Sequence, residues 1–191
     1  FENNNITKPK LIVTSPPYGD HQTTVAYGQF SQHPSLWLDI PKEKVKVVDK
    51  LGLGGKKNQI INELNSPSLT TILEQVAEND LKYSKNGTTN RHLDVLAFFS
   101  DFDICLSKLA SLLVKNQSHC CLVLANRTVR RVKIPTDKIT LELCKKHNFK
   151  HIDTITRKIP NKAMATKNAP ENLSNSPGET MNDEIILIFS Y

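Results

Sequence analysis

The stretch Leu11–Tyr18 reads LIVTSPPY: a short apolar run followed at once by two prolines and an aromatic residue. The aliphatic run predicts a short buried strand over Leu11–Thr14. Pro16 and Pro17 end this strand because proline cannot donate a hydrogen bond to a sheet ladder. The turn therefore lies at the carboxyl end of a strand, which is where open α/β sheets place their ligands.

The remaining apolar patterns predict three more strands and three helices. The strands are His119–Ala125, buried on both faces like a parallel strand, His151–Ile159 and Glu184–Tyr191. The helices are Ser68–Glu78, Arg91–Lys115 and Asp137–Asn148, the last with Thr136 or Asp137 as N-cap. This order predicts an α/β fold with helices on a largely parallel sheet. No helix separates the last two strands, which predicts an antiparallel pair.

Composition narrows the class of protein. The chain has 191 residues, with 38% hydrophobic and 23% charged, which fits one folded domain rather than a disordered chain. No apolar run is long enough to predict a membrane span, and the polar start has no signal-peptide pattern. The net charge of +6 permits a nucleic-acid partner. The four cysteines and six histidines show no metal-ligand spacing, so we expect reduced thiols, no metal and a cytoplasmic location.

Four segments together resemble the SPPY-type DNA amino-methyltransferases of bacterial restriction-modification systems. They are SPPYGDHQTTVAYGQFS (15–31), HCCLVLANRTV (119–129), RKIPNKAMATKNAP (157–170) and MNDEIILIF (181–189). These enzymes transfer a methyl group from S-adenosylmethionine to N4 of cytosine or N6 of adenine. The resemblance implies a Rossmann-like class I methyltransferase fold. Residues 1–191 would carry its catalytic-motif half, strands four to seven of the doubly wound sheet.

The resemblance implies that Ser15, Pro16, Pro17 and Tyr18 are the catalytic residues. An exocyclic amine of a base is a poor nucleophile because its lone pair is delocalised into the ring. Ser15 and the Pro16 carbonyl would each accept one N–H hydrogen bond and so restore the amine lone pair, in a turn that the prolines hold rigid. Tyr18 would stack on a base that has left the duplex. Serine at position 15 favours N4 of cytosine, and N6 of adenine stays open.

Further residues are candidates for contact with DNA or the target base. Tyr27 and Phe30 are either aromatic walls of the base pocket or core residues. Three arginines follow the second strand and form either a phosphate-contacting cluster or a solvated basic surface: Arg127, Arg130 and Arg131. Three polar residues lie in the segment that resembles the pocket loop: Asn161, Lys162 and Asn168. Residues 39–90 are a possible inserted DNA-contacting segment, in which Lys42–Lys57 reads as a mobile basic loop.

The glycine-rich strand exit and the acidic residue that hold the cofactor in this class are missing. Gly52–Gly55 follows no apolar strand, and lysines come after it. A half-sheet would leave one edge of its first strand bare, and a bare edge invites pairing. We therefore expect a second polypeptide to carry the cofactor-binding half. The alternatives are a non-catalytic DNA-binding or assembly subunit, an inactive remnant, and methylation of RNA or of a protein glutamine.

Overall fold

The computed structural model describes residues 8–19, 27–45, 47–55, 64–83, 90–159, 167–168, 178–179 and 183–191. These residues form eight strands and six helices. The strands are β1 (Leu11–Thr14), β2 (His119–Leu124), β3 (Arg127–Val129), β4 (Val132–Ile134), β5 (Lys150–Lys158), β6 (Lys167–Asn168), β7 (Gly178–Glu179) and β8 (Asp183–Ser190). The helices are α1 (Tyr27–Trp37), α2 (Lys42–Val45), α3 (Val48–Leu51), α4 (Pro67–Tyr83), α5 (Arg91–Leu112) and α6 (Thr136–Lys146).

Four strands form one mixed sheet in the order β1-β2-β8-β5. β1 and β2 run parallel, with Leu11 opposite His119 and Thr14 opposite Leu122. β8 lies between β2 and β5 and runs antiparallel to both. The predicted α/β class and the antiparallel last pair are confirmed. Three of the four strands, β1, β2 and β5, run in the same direction and β8 runs against them, so the sheet is mixed rather than purely parallel.

The predicted elements are found with shifted ends. β1 has the bounds that the sequence predicts. α4 continues past Glu78 to Tyr83, and α5 ends at Leu112 instead of Lys115. The predicted N-cap of α6 is wrong: Pro135 occupies the cap position, with no side-chain cap of its own. The backbone N–H of Asp137 donates instead to Oδ1 of Asn126, at 3.3 Å. The side chain of Asn126, which follows β2, therefore accepts a hydrogen bond from a backbone N–H in the first turn of α6, where such groups have no partner within the helix.

One face of the sheet packs against α4, α5 and α6. The largest fully buried side chains of this core are Phe98, Phe99, Phe189, Leu106, Leu122, Leu124, Ile134, Ile139, Leu143, Leu187, Val76 and Val95. The rings of Phe98 and Phe99 meet edge to face, with centroids 5.2 Å apart. Burial of these side chains from water is the main force that holds the helices on the sheet.

The opposite face of the sheet is partly open. In β2, alternate side chains are buried: Cys120, Leu122 and Leu124. Cys121 and Val123, which point the other way, are only half-buried. On the same face Leu11 is 58% exposed, Val13 64% and Ile155 46%. The prediction that β2 is buried on both faces is therefore wrong, since the packed helices cover one face.

The segment 39–90 is partly integrated into the core. Leu69 and Val76 of α4 are buried among the side chains of α5 and the sheet. Glu142 of α6 accepts hydrogen bonds from the backbone N–H and the hydroxyl of Ser68, at 3.2 and 2.6 Å, which ties the start of α4 to α6. α4 is therefore a structural helix of the domain. Contact of the segment with DNA stays a prediction.

The expected mobile loop at Lys42–Lys57 contains two short helices, α2 and α3. After α3, the backbone N–H of Gly54 donates to Oδ2 of Asp101 in α5, at 2.8 Å. Gly54 has φ of 73°, a left-handed conformation that glycine adopts without a steric penalty. The expectation of a loop is therefore wrong for the described part of this segment. Lys56 and Lys57 lie outside the described residues.

Candidate active site

The Ser15–Tyr18 turn leaves the carboxyl end of β1 and crosses toward β2. Ser15 follows β1 directly, and its hydroxyl donates to the backbone carbonyl of Val123 in β2, at 3.3 Å. Pro16 and Pro17 are half-buried and fix their own φ angles. The turn therefore begins with a hydrogen bond to the neighbouring strand and continues through two residues of restricted conformation.

Tyr18 extends from this turn to the far side of β2. Its hydroxyl donates to Oε1 of Glu184, at 3.1 Å, and Glu184 lies near the start of β8. Because β2 lies between β1 and β8, the Tyr18 side chain spans the end of a whole strand. The carboxyl end of β2 thus lies beneath an aromatic residue that is fixed at its tip.

Arg157 completes this group of side chains. Arg157 of β5 lies opposite Glu184 in the antiparallel register. Its Nε and one terminal nitrogen lie 2.7 and 2.6 Å from Oε2 of Glu184. These hydrogen bonds from Arg157, with the one from Tyr18, outweigh desolvation and hold the pKa of Glu184 below its ordinary value. Glu184 is therefore a carboxylate at neutral pH.

Sequence reasoning missed Glu184 and Arg157 as members of the site. Glu184 begins a predicted strand and Arg157 lies two residues before the end of another, and the alternation of side chains is readable from the sequence. Their pairing depends on the register between β5 and β8, which carries a bulge between His151 and Asp153. An opposite-charge pair at the ends of two consecutive antiparallel strands was the available signal.

The two predicted pocket aromatics lie in α1. Tyr27 is the first residue of this helix, and its side chain lies outside what the structure describes. Phe30 is 73% exposed, which excludes the alternative that it is a core residue. Trp37, two helical turns later on the same side, is 87% exposed. Contact of Phe30 with a base stays a prediction.

The basic cluster after β2 forms a β-hairpin that the sequence did not predict. β3 and β4 are antiparallel and are joined by Arg130 and Arg131, with φ of 47° and 64°. Positive φ at both positions is the geometry of a tight two-residue hairpin turn. Such turns prefer asparagine and glycine, so a pair of arginines gave no turn signal.

All three arginines make contacts inside the domain. Arg127 is buried, and its guanidinium carbon lies 5.3 Å from the ring centre of Phe98. Nε of Arg130 donates to Oδ1 of Asp80, at 2.9 Å. These contacts give both residues structural roles. Phosphate contact by either of them stays a prediction.

Asp80 links the hairpin to two helices. Its other oxygen, Oδ2, accepts from the backbone N–H of His92, at 3.1 Å, and lies 3.0 Å from Nδ1 of that residue. Burial raises the pKa of Asp80, but the hydrogen bonds from His92 and Arg130 outweigh it, and the pKa is lowered. Arg131 stacks on Tyr83 of α4, with its guanidinium carbon 4.3 Å from the ring centre.

The predicted pocket loop is only partly described. Asn161 and Lys162 lie outside the described residues. Asn168 belongs to β6, where it pairs with Gly178 of β7. The roles expected for these three residues stay predictions.

Within the described ranges, no group of histidine, cysteine or acidic side chains has the arrangement of a metal site. The described helices include none that is long and apolar enough to cross a membrane. All four cysteines are free thiols in the structure, and burial raises the pKa of Cys120 to about 11.

Comparison with known proteins gives one informative similarity. The chain is similar to the Type II methyltransferase M.MvaI of Kocuria varians, with 43% identity over 187 residues. The match covers 93% of this chain and 39% of the relative, so the chain spans about two-fifths of the relative's length. No family model matches the chain, and no solved structure does. The similarity extends over nearly the whole chain rather than a single motif.

Proposed function

We propose that the chain is the catalytic-motif part of an S-adenosylmethionine-dependent DNA amino-methyltransferase of a restriction-modification system. The main observation in support is the Ser15–Tyr18 turn, which follows the carboxyl end of β1. Its first residue is hydrogen-bonded to β2 and its last residue to β8. The similarity to a Type II methyltransferase supports the same class. The strand order β1-β2-β8-β5, with β8 antiparallel, fits strands four, five, seven and six of a class I methyltransferase sheet.

Ser15 is suited to accept a hydrogen bond from a target amine. Its own hydrogen points to the carbonyl of Val123, so the Oγ lone pairs face away from that bond. The carbonyl of Pro16 is the second acceptor in the proposal. Two acceptors on the two N–H groups would draw the amine toward tetrahedral geometry and free its lone pair for the methyl group.

Tyr18 is the proposed stacking partner of the extruded base. Its ring is anchored through the hydroxyl and half-buried, so little side-chain freedom remains to be lost on binding. Stacking would recover part of the free energy of unstacking the base from the duplex. Cytosine N4 is the favoured target because Ser15 replaces the aspartate of adenine enzymes, and adenine N6 is the alternative.

The described residues are better suited to bind the methyl acceptor, the target base, than the methyl donor. S-adenosylmethionine supplies an electrophilic methyl group when it is bound. The glycines near the end of α3, Gly52, Gly54 and Gly55, follow a short helix instead of a strand, which does not fit the usual site for its methionine and ribose. We therefore assign the donor site to a second polypeptide and derive no step through the donor.

Two surfaces support a second polypeptide. β1 is an end strand of the four-stranded sheet, and its side chains Leu11 and Val13 are more than half exposed. The open sheet face continues through β2, β8 and β5. Sheets with parallel strands usually have both faces covered, so a helical layer from the partner is the proposed occupant. The remaining three-fifths of the relative is long enough to hold such a layer.

A methyl-transfer assay tests the proposal. Labelled S-adenosylmethionine and bacterial DNA are incubated with the chain, first alone and then with the polypeptide encoded beside it. We expect label in DNA only in the mixture, and none with Tyr18→Ala, while Leu81→Ala on the exposed side of α4 keeps full activity. Nucleoside analysis of the product then distinguishes N4-methylcytosine from N6-methyladenine.

The other outcomes contradict the proposal in different ways. DNA binding without transfer, unchanged by Tyr18→Ala, favours a non-catalytic DNA-binding or assembly subunit. Label in RNA or protein instead of DNA overturns the substrate class. Transfer by the chain alone overturns the requirement for a partner.

A further inference from the structure

We infer that Glu184 is a positioning residue for Tyr18, and that Arg157 fixes Glu184 in that role. The inference rests on the proposed function, because it assigns the residues that hold the stacking aromatic in place. Three strands contribute: Tyr18 lies in the turn after β1, Glu184 is the second residue of β8 and Arg157 is the second-last residue of β5. The group is therefore assembled by the sheet rather than by neighbours in the sequence.

The geometry requires an anchor on β8. Two strand spacings separate β1 from β8, about 10 Å, and Tyr18 bridges them over the end of β2. The Tyr18–Glu184 hydrogen bond fixes the tip of that side chain at 3.1 Å. Loss of this hydrogen bond removes the contact that fixes the phenol end of the side chain on β8.

The two oxygens of Glu184 have separate partners. Oε1 accepts from Tyr18, and Oε2 accepts from Nε of Arg157 at 2.7 Å and lies 2.6 Å from a terminal nitrogen of the same guanidinium. The contact with Arg157 is cross-strand and in register, so the backbone ladder of β5 and β8 sets its geometry. Arg157 thus orients the carboxylate, and the carboxylate orients the phenol.

The same contacts make Glu184 a poor general base. A carboxylate whose pKa is lowered by an arginine has a low affinity for protons. The side chain of Arg157 is 60% exposed, and exposed ion pairs contribute little to stability. The role that best explains the Arg157–Glu184 pair is therefore the positioning of Tyr18, rather than proton transfer or stabilisation of the fold.

Steady-state kinetics of the complemented protein test the inference. Glu184→Ala removes the acceptor, and we expect kcat to fall about tenfold, the equivalent of one net hydrogen bond. Glu184→Gln keeps an acceptor oxygen, and we expect it to stay within about threefold of wild type. Tyr18→Phe is expected to match Glu184→Ala, and the double variant to fall no further, because both changes remove the same contact. Glu78→Ala, an exposed glutamate of α4, is the matched control.

A spectroscopic measurement keeps the test independent of activity. With ¹³C in the rings of the four tyrosines, we expect Glu184→Ala to shift or broaden the signals of one residue, Tyr18, and Glu184→Gln to restore them. Unchanged Tyr18 signals in Glu184→Ala overturn the inference whether or not the protein transfers methyl groups. Wild-type kcat in Glu184→Ala, or independent losses in the double variant, also overturns it. Absence of transfer by the wild-type mixture, with Tyr18 signals that respond to Glu184→Ala, contradicts the proposed function and leaves the positioning contact supported.

Discussion

At the scale of single residues, the chemistry of the candidate site depends on which hydrogen-bond partner each hydroxyl group has. Ser15 directs its hydrogen toward β2, and Tyr18 directs its hydrogen toward β8. Because the Ser15 hydroxyl donates to Val123, its oxygen lone pairs remain for an acceptor role in the proposed site. An acceptor at this position suits a group with N–H donors, such as an exocyclic amine.

Ser15→Ala tests the acceptor at the start of the turn. We expect methyl transfer to fall about 10- to 100-fold, because one hydrogen bond to the reacting amine is lost and the other acceptor remains. Binding of DNA is expected to stay within a factor of about three. Ser107→Ala, on the exposed side of α5, is the control. Equal activity of Ser15→Ala and wild type in the labelled-donor assay contradicts the role of Ser15.

Asp80→Asn tests the carboxylate that joins α4, α5 and the β3–β4 hairpin. Asp80 is 5% exposed and accepts from His92 and Arg130, so we expect a loss of about 1–3 kcal/mol in the free energy of unfolding at pH 7. Urea denaturation of the full chain measures it, with Glu74→Gln on the surface of α4 as control.

The pH dependence of the Asp80 effect follows from the direction of its pKa shift. The folded pKa is lower than the unfolded value of about 3.9, so the carboxylate stabilises the fold above that value. This contribution is lost as pH falls through the folded pKa. We expect the difference between Asp80→Asn and wild type to be constant from pH 7 to about pH 5 and to shrink below pH 4. A difference that grows on acidification contradicts the assignment.

At the scale of elements, burial is asymmetric across the sheet. β8 has Leu187 and Phe189 fully buried against the helices, whereas its neighbour β5 is exposed along its whole length. The bulge between His151 and Asp153 interrupts the ladder of this end strand. Bulges and charged side chains on end strands discourage pairing with other chains. β5 therefore has the features of an outer edge, and β1 does not.

A pair of substitutions tests this asymmetry. Leu187→Ala, at a fully buried position, is expected to lower the free energy of unfolding by about 2–5 kcal/mol, because it removes packed volume from the core. Ile155→Ala, 46% exposed on the other face, is expected to cost less than about 1 kcal/mol. Thermal or urea denaturation of the two variants gives the comparison. Equal losses contradict the one-sided core.

At the scale of the whole molecule, the sheet has one covered face and one open face with an apolar end strand. Leu11→Lys tests the proposed docking of a partner there. The side chain is 58% exposed, so we expect the fold of the chain to tolerate lysine, while assembly with the neighbouring polypeptide is lost because a charge would be buried unpaired. Leu81→Lys, 82% exposed on α4, is the control that is expected to assemble. Size-exclusion chromatography of the mixtures measures assembly, and normal assembly of Leu11→Lys contradicts the docking face.

The sequence by itself determined the motif and seven of the elements, namely β1, β2, β5, β8, α4, α5 and α6. An apolar run ended by two prolines is sufficient to place β1 and the turn, since both depend on local backbone restrictions. The same holds for α5 and for β8, whose apolar patterns are long and clear. The β3–β4 hairpin escaped prediction because Arg130 and Arg131 adopt positive φ without glycine, held by contacts with Asp80 and Tyr83 that are distant in the sequence.

Only the tertiary structure decided which side chains meet. Strand order and register bring Tyr18, Glu184 and Arg157 together, although 166 positions separate Tyr18 from Glu184 in the chain. It also decided that Arg127 is buried and that one sheet face is open. The physical reason is that local sequence sets backbone preference, whereas burial and hydrogen-bond partners depend on how strands align and helices pack across the whole sheet.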